Sequence, residues 1–469
     1  MLATNAYDNP AEYNAWRKKN AYFHDEDLRY LKFLIPEGSR VLDLGCGNGD
    51  LLKGLNPSHG VGIDLSKNLI KYAKKTYPDL TFYNADIEQP LDKILKGQEF
   101  DVILISDTVG SIKDIQKFFK NIHGLCSEKT RIIVSYYSKY WEPVLKTAEL
   151  FKQKMPSLHQ NYLSTDDIIE FMKLEDFVPL KYEYRQLLPK KMFGLGTLIN
   201  RFIATMPGIR RLCLRTYVVA RIETKELPKK LPSITVVVPC KNEKGNIEPA
   251  VKRLPRFASK MEIIFVDGHS SDGTFDEIKR VIKAYPQYDI KGFIQPKRGK
   301  GDAVRFAFDK AKGDILMILD ADLTTPPEEM PKFYDALVRG KGEFINGTRL
   351  IYPMENEAMQ FLNFLANKAF SWIFTYLLNQ RLTDTLCGTK VLWRDDYKRL
   401  IKNRTYFGDF DPFGDFDLIF GASKLNLQIT EIPVRYAARS YGVTQISRFR
   451  HGFLLLQMTL LAFRKLKAF

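Results

Sequence analysis

The chain has 469 residues, 45% hydrophobic and 27% charged, which sets it among globular proteins of two or three domains and excludes a disordered chain. Its net charge of +16 is concentrated in residues 181–230, with twelve Lys/Arg against three Asp/Glu, and in residues 435–469, with seven Lys/Arg and no acid. The remainder is neutral, which argues against a nucleic-acid partner, and five scattered cysteines without a CxxC pair exclude a disulfide framework and fit a reducing cytoplasm.

Met1–Asp8 shows no charged-then-apolar pattern, so no export signal is expected, and no run of about 18 apolar residues predicts a bilayer span. Residues 1–35 read as a helical lead-in. From residue 40, apolar strands alternate with amphipathic helices, the pattern of a parallel α/β sheet. Strands are expected at 40–44, 60–64, 80–83, 101–105 and 131–136. Ser164-Thr-Asp-Asp predicts a helix start, and stretches near 178–188 and 215–223 are expected to close the sheet. Lys190 to Leu214, between them, is apolar and basic together.

Val41-Leu-Asp-Leu-Gly-Cys-Gly-Asn-Gly49 places a strand directly before a glycine-rich turn, where backbone can approach a ligand closely. The spacing is Gly-x-Gly-x-Gly, not the dinucleotide pattern. Further strands end in Asp64, Asp86 and Asp107, and the first is placed to bind ribose hydroxyls. Together these residues resemble class I S-adenosylmethionine-dependent methyltransferases over roughly residues 20–223. The resemblance implies a Rossmann-like sheet in which Asp43, Gly45, Gly47 and Gly49 cradle the methionine end of the cofactor. It gives Asp64 to the ribose, Asp86 to the adenine amine and Asp107 to the acceptor side. No base for methyl transfer stands out: His59 precedes a strand, His123 sits in a helix and His159 in a loop. Methyl transfer requires alignment of acceptor and sulfonium, with a base only for hydroxyls.

Two prolines among lysines, Leu227-Pro-Lys-Lys-Leu-Pro-Ser233, mark a linker at 224–233. A second alternation follows, with strands near 234–238, 262–266, 315–319 and 344–346. Ile234-Thr-Val-Val-Val-Pro239-Cys-Lys-Asn-Glu243 reads as a buried strand stopped by proline. Asp267 ends the next strand, and the following Ser-Ser-Asp-Gly-Thr turn is expected to cap a helix. Lys297-Arg-Gly-Lys300-Gly-Asp302 is a basic glycine loop suited to diphosphate. Asp320-Ala-Asp322 follows the apolar run 315–319, so two carboxylates emerge where open α/β sheets hold ligands. Mg²⁺ takes one or two carboxylates plus substrate phosphates, which suits cleavage of a sugar–diphosphate bond.

This order of motifs from about 232 to 450 resembles the family 2 glycosyltransferases. Gly347-Thr-Arg349, Asp384-Thr-Leu-Cys-Gly388 and Glu431-Ile-Pro-Val-Arg-Tyr-Ala-Ala-Arg439 draw it toward dolichyl- and polyprenyl-phosphate sugar synthases. The resemblance implies a GT-A fold in residues 234–450 and inverting transfer from a nucleoside-diphosphate sugar to a polyprenyl-phosphate or glycan acceptor. It gives Pro239, Glu243 and Asp267 to the nucleotide, and Asp322, helped by Asp320, to Mg²⁺ or Mn²⁺. Arg349 and Arg439 are candidate phosphate ligands. Asp415 or Asp417, in an acid-rich aromatic stretch, is the candidate base on an acceptor hydroxyl.

Met359–Leu378 is long, apolar and aromatic, and the tail 451–469 is apolar with basic ends, as in helices that lie on an anionic membrane surface. The expected protein is therefore an α/β, two-domain, bifunctional enzyme of cell-envelope glycan or glycolipid synthesis, peripheral on the inner membrane face. Two other readings stay open: the first half as a regulatory S-adenosylmethionine sensor, and a basic nucleic-acid-binding scaffold.

Overall fold

The computed structural model describes residues 7–156, 161–223, 228, 230–351, 361–402, 406, 416–437, 439, 441–442 and 448–469. The chain divides into two compact units, Met1–Glu223 with Ala468 and Thr224–Lys467 with Phe469.

The first unit opens with helices α1 (Pro10–Lys19) and α2 (Ala21–Leu34). The Asn9 side chain accepts from Ala11 N and Glu12 N, and Pro10 fills the first helical position, where its missing N–H costs nothing. Seven strands follow: β1 (Arg40–Leu44), β2 (His59–Asp64), β3 (Thr81–Asn84), β4 (Val102–Ser106), β5 (Arg131–Tyr137), β6 (Phe177–Arg185) and β7 (Arg215–Ile222). They form one sheet in the order β3-β2-β1-β4-β5-β7-β6. β1 to β5 are parallel, and β7 runs antiparallel to both β5 and β6. Strands buried on both faces read as continuous apolar runs, and Val41, Leu42, Ile63, Ile103 and Ile133 are fully buried accordingly. Helices α3 (Lys67–Thr76), α4 (Ile115–His123), α5 (Glu142–Leu150) and α6 (Thr165–Leu174) link the strands. Ser164 caps α6 as expected, in a reciprocal box with Asp167. Ser164→Ala is expected to lower stability by about 1 kcal/mol, read as a shifted denaturant midpoint with unchanged slope.

The second unit also holds seven strands, in the order β10-β9-β8-β11-β13-β12-β14. These are β8 (Ile234–Cys240), β9 (Met261–Asp267), β10 (Asp289–Ile294), β11 (Ile315–Ile318), β12 (Phe344–Thr348), β13 (Lys390–Trp393) and β14 (Ile429–Pro433). The sheet is mixed rather than parallel throughout, because β13 runs antiparallel to both β11 and β12. The proline does not stop β8, which continues to Cys240. Ile234 and Cys240 bond toward β9 and Val237 toward β11, so alternation turns Pro239 toward β11, past its last paired residue Ile318. The main helices are α7 (Ile247–Arg253), α8 (Thr274–Ala284), α9 (Lys300–Lys310), α10 (Met330–Val338), α11 (Phe361–Leu378), α12 (Arg394–Lys402), α13 (Phe416–Lys424) and α14 (Arg448–Leu466). Helices α11 and α14 pack on each other. The tail helix starts at Arg448, three residues before the expected 451.

Candidate active sites

In the first unit, the candidate cofactor residues gather at the carboxyl ends of β1, β2 and β4. Gly45, Gly47 and Gly49 all have positive φ, of 87°, 54° and 81°. A Cβ on Gly47 would sit 2.7 Å from Tyr13 Oη, and one on Gly49 would sit 2.7 Å from the Phe82 ring. The turn is therefore closely covered, and α1 supplies part of the cover. Asp64 ends β2 and ties the turn together, accepting from Gly47 N and Ser66 N at 2.8 Å each. Asp86 lies two residues past β3, exposed, and accepts from Glu88 N at 2.9 Å.

Asp43, inside β1, is 1% exposed, and neither carboxylate oxygen has a hydrogen-bond partner. Burial, with Asp64 adding to it, pushes its pKa up to about 7. An orphaned buried carboxylate of this kind suits a cationic ligand group, as the ammonium of an amino acid is. The raised value has a sign. The folded state holds a proton that the unfolded state releases near pH 4, so stability falls as pH climbs from about 4 to 7. Asp43→Asn is expected to gain stability relative to the parent as pH rises from about 4 to 7, by at most roughly 1.4 kcal/mol per pH unit. Melting curves across that range check it, and a pH-independent difference would refute the burial argument.

Asp107, just past β4, has φ of 58°, a conformation that side chains other than glycine rarely adopt. It is held by Arg215 of β7, which is fully buried and also pairs with Asp27 at 3.0 Å and Ser135 Oγ at 3.0 Å. Tyr217 Oη donates to Asp27 at 2.5 Å. His24 stands nearby in α2, where burial and the cations Arg17 and Arg215 push its pKa down to about 3, leaving a neutral imidazole. Sequence reasoning missed Tyr13, His24, Asp27 and Arg215. Only the Arg at the head of an apolar strand offered a signal. His59 opens β2 and His123 ends α4. His159 lies outside the described residues.

In the second unit, acids gather at and just past the ends of β8, β9 and β11, and three of them, Glu243, Asp320 and Asp322, are matched to cations. Glu243 is 6% exposed, accepts from Asn246 Nδ2 at 2.7 Å and pairs with Arg439 at 3.0 Å. Asp267 ends β9, accepts from Ser270 N at 3.2 Å, and leaves its buried Oδ1 without a partner. Asp320 lies two residues past β11 with Lys300 Nζ at 2.7 Å. Burial alone would raise its carboxyl, but Lys300, backed by Lys390 and Arg349, holds it below the usual range. Gly388 packs directly under that carboxylate, where a Cβ would collide with it. Asp322 accepts from Thr324 Oγ1 at 2.8 Å and from Arg439 Nη2 at 2.7 Å. Leu323 behind it takes φ of 52°.

The expected helix cap differs in detail. Gly273, with φ of 83°, is the N-cap of α8, and Asp272 instead accepts from Thr274 N at 3.0 Å. A left-handed glycine leaves no side chain to cap, so the preceding acid reaches over. Lys300 opens α9 after Gly299, and Asp302 accepts from Lys297 N at 2.9 Å, closing the basic loop. Pro239 is half-buried near the end of β8.

Arg349 does not stand free for a phosphate. Its fork grips Asp384 at 2.6 and 2.8 Å, with Asn367 bonding the same carboxylate at 2.9 Å. Glu431 accepts from Thr383 N at 2.8 Å and from Asp384 N at 3.2 Å. The motifs around 347, 384 and 431 thus form one buried polar network bracing β12 and β14. Asp417, in the first turn of α13, is buried and paired with Arg305 at 3.3 Å. Asp415 lies outside the described residues. Lys390, fully buried on β13 and bonded to Cys387 O, was missed, since a lysine in a short polar segment reads as surface.

Among the described residues no group of three His, Cys, Asp or Glu side chains is placed to hold a metal ion. Asp320 and Asp322 still fit Mg²⁺ or Mn²⁺ shared with a ligand's phosphates, because such ions take one or two carboxylates and complete their shell with phosphate and water.

Residues 35–184 match the profile described as "Methyltransferase domain", and residues 235–400 match "Glycosyl transferase family 2". The chain is 39% identical over 109 residues to a dolichol-phosphate mannosyltransferase of Saccharomyces cerevisiae, covering 22% of this chain and 40% of that protein. It thus spans about two fifths of that relative. A mannosyltransferase from Pyrobaculum calidifontis, solved with GDP-Man and Mn²⁺, aligns at 20% identity and a TM-score of 0.36, covering 52% of this chain and 67% of that one. A Thermotoga maritima S-adenosylmethionine-dependent methyltransferase, described as a possible histamine N-methyltransferase, aligns at 17% identity and a TM-score of 0.37, covering 47% and 99%. The chain thus carries a stretch that matches a methyltransferase domain, followed by one that matches the family 2 glycosyltransferases.

Proposed function

We propose that residues 234–450 transfer a sugar, with inversion, from a nucleoside-diphosphate sugar to a polyprenyl-phosphate or glycan acceptor. The carrying observation is the pair of cation–carboxylate contacts, Lys300 with Asp320 and Arg439 with Asp322. A divalent metal and a diphosphate would exchange partners with both: the metal takes the carboxylates, and the phosphates take the lysine and the arginine. When bound, Mg²⁺ or Mn²⁺ supplies Lewis-acid stabilisation of the departing diphosphate. Glu243 and the open oxygen of Asp267 are assigned to the nucleoside. Arg349 acts by fixing Asp384 and the wall of the site. Asp417, or Asp415 before it, is the assigned proton acceptor when the acceptor is an alcohol. The polyprenyl-phosphate acceptor draws support from the yeast relative's name, which specifies dolichol phosphate. The test is incubation with a panel of nucleotide sugars and Mn²⁺, with released nucleoside diphosphate detected by mass. Release from none of them would sink the reading.

Residues 1–223 are assigned S-adenosylmethionine binding and methyl transfer, joined through a linker at 224–233. Asp43 and the glycine turn would hold the methionine end, Asp64 the ribose and Asp86 the adenine, while Asp107 faces the acceptor. If S-adenosylmethionine changes the sugar-transfer rate without methyl entering product, the domain is a sensor instead.

The assigned setting is the cytoplasmic face of a membrane, in envelope glycan or glycolipid assembly. No helix among the described residues is long and apolar enough to cross a bilayer. Helix α14 buries Leu455 and Met458 yet leaves Phe453 61% and Leu460 57% exposed, between cationic ends. Phe453→Ser with Leu460→Ser is expected to weaken flotation with anionic vesicles severalfold while leaving the fold intact, because neither side chain packs in the core. Unchanged flotation would remove this helix from the membrane contact.

A further inference from the structure

Residues 186–214, between β6 and β7, are built inside out for a surface that faces water. Their inward side buries the polar Gln186, Asn200 and Thr205 beside the apolar Ala204, Cys213 and Leu214. Asn200, 3% exposed, accepts from Leu188 N at 3.0 Å and donates to Leu188 O at 2.7 Å and Tyr22 Oη at 3.2 Å. Gln186 donates to Phe23 O at 3.1 Å. Their outward groups are apolar: Phe193 is fully exposed, and Leu195, Leu198, Met206 and Leu212 are 45–59% exposed. Soluble surfaces scatter such side chains singly rather than gathering them on one short segment.

Shape and charge name the occupant. Met192, Phe193 and Gly194 have φ of 45°, 54° and 99°, a tight left-handed tip that thrusts Phe193 outward. Residues 186–214 carry five Lys/Arg and no acid. A protruding apolar tip on a segment with five cations and no acid fits a bilayer interface, where apolar side chains enter the acyl boundary and cations meet anionic headgroups. Trp141, just before α5, donates its Nε1 to Leu212 O at 2.7 Å, and Val144 and Leu150 of α5 are exposed. The insertion rests on α2, whose Asp27 holds Arg215 and through it Asp107. The surface and the acceptor side of the cradle therefore share one support.

We infer that the β6–β7 insertion docks the methyltransferase unit on an anionic lipid surface. This deepens the membrane reading above and rests on it for the choice of partner, but it does not depend on α14.

The experiment uses the full chain with vesicles of equal parts phosphatidylcholine and phosphatidylglycerol, and with phosphatidylcholine alone. Phe193→Ser with Leu198→Ser is expected to weaken partition into the anionic vesicles about tenfold, with S-adenosylmethionine binding and melting temperature unchanged. Phe193→Trp is expected to be quenched by brominated lipid beyond the quenching of the four native tryptophans. Unchanged partition of the double variant, or no added quenching, overturns the inference. If the α14 variant alone loses partition, the insertion is overturned and the membrane reading survives. If the parent chain partitions into neither vesicle, both fall. A change in self-association in place of partition assigns the surface to a second copy and also overturns the inference.

Discussion

Asp322→Ala is expected to reduce sugar transfer at least about a hundredfold while S-adenosylmethionine binding stays at the parental level. The carboxylate sits where metal and diphosphate would meet, and a Lewis acid there supplies several kcal/mol of transition-state stabilisation, with each 1.36 kcal/mol worth about tenfold in rate. The substitution also removes one of the two carboxylates that Arg439 bonds, Asp322 at 2.7 Å, and leaves Glu243 at 3.0 Å. Arg439 keeps its second carboxylate, so the change should not unfold the unit. The lesion should appear in kcat, with only a small shift in melting temperature. Steady-state kinetics over a Mn²⁺ titration checks this. Near-parental turnover at saturating Mn²⁺ would remove Asp322 from the reaction.

Gly47→Val is expected to give the converse result, with S-adenosylmethionine affinity falling at least about tenfold and sugar transfer retained. Two effects add. A β-branched residue at φ of 54° is strained wherever it is placed, and its Cβ would press on Tyr13 Oη at 2.7 Å. Asp64→Ala reaches the same end by another route, since it removes the acceptor for Gly47 N and Ser66 N. Calorimetry with S-adenosylmethionine reads both variants. A retained melting transition shows that the first unit is still folded, and a retained sugar-transfer rate shows that the second is untouched. Parental affinity in both would take the glycine turn out of the cofactor site.

The sequence carried most of what a strand end can announce. Continuous apolar runs before Asp64, Asp107, Asp267 and Asp320 mark strands buried on both faces, and all four acids stand at or just past strand ends. What it hid has physical reasons. β10 is an edge strand with Asp289 exposed and Lys291 and Gly292 half-buried, so its alternation is blurred. β13 has four residues and opens on the buried Lys390, which local pattern cannot separate from a loop. Pairing direction depends on neighbours far apart in the chain, so the antiparallel β7 and β13 were not legible. Nor were Arg215 and Asp27, whose positions are 188 residues apart and meet only after the sheet forms. Arg349 is a residue type suited to phosphate, and its pairing with Asp384, 35 residues on, was not legible either.

The two ion pairs across Asp320 and Asp322 carry a thermodynamic consequence. On the proposed reading, metal alone must displace Lys300 and Arg439 without offering them new anions, and nucleotide sugar alone must draw them off while leaving two bare carboxylates. Each ligand therefore lowers the cost of admitting the other. Such coupling is reciprocal by linkage, typically 1–3 kcal/mol, or about five- to 150-fold in affinity. Mn²⁺ should bind weakly in the absence of nucleotide and tighten by the same factor that it tightens the nucleotide. The ligand-free protein would then be a closed electrostatic circuit that takes either ligand singly more weakly than it takes the pair.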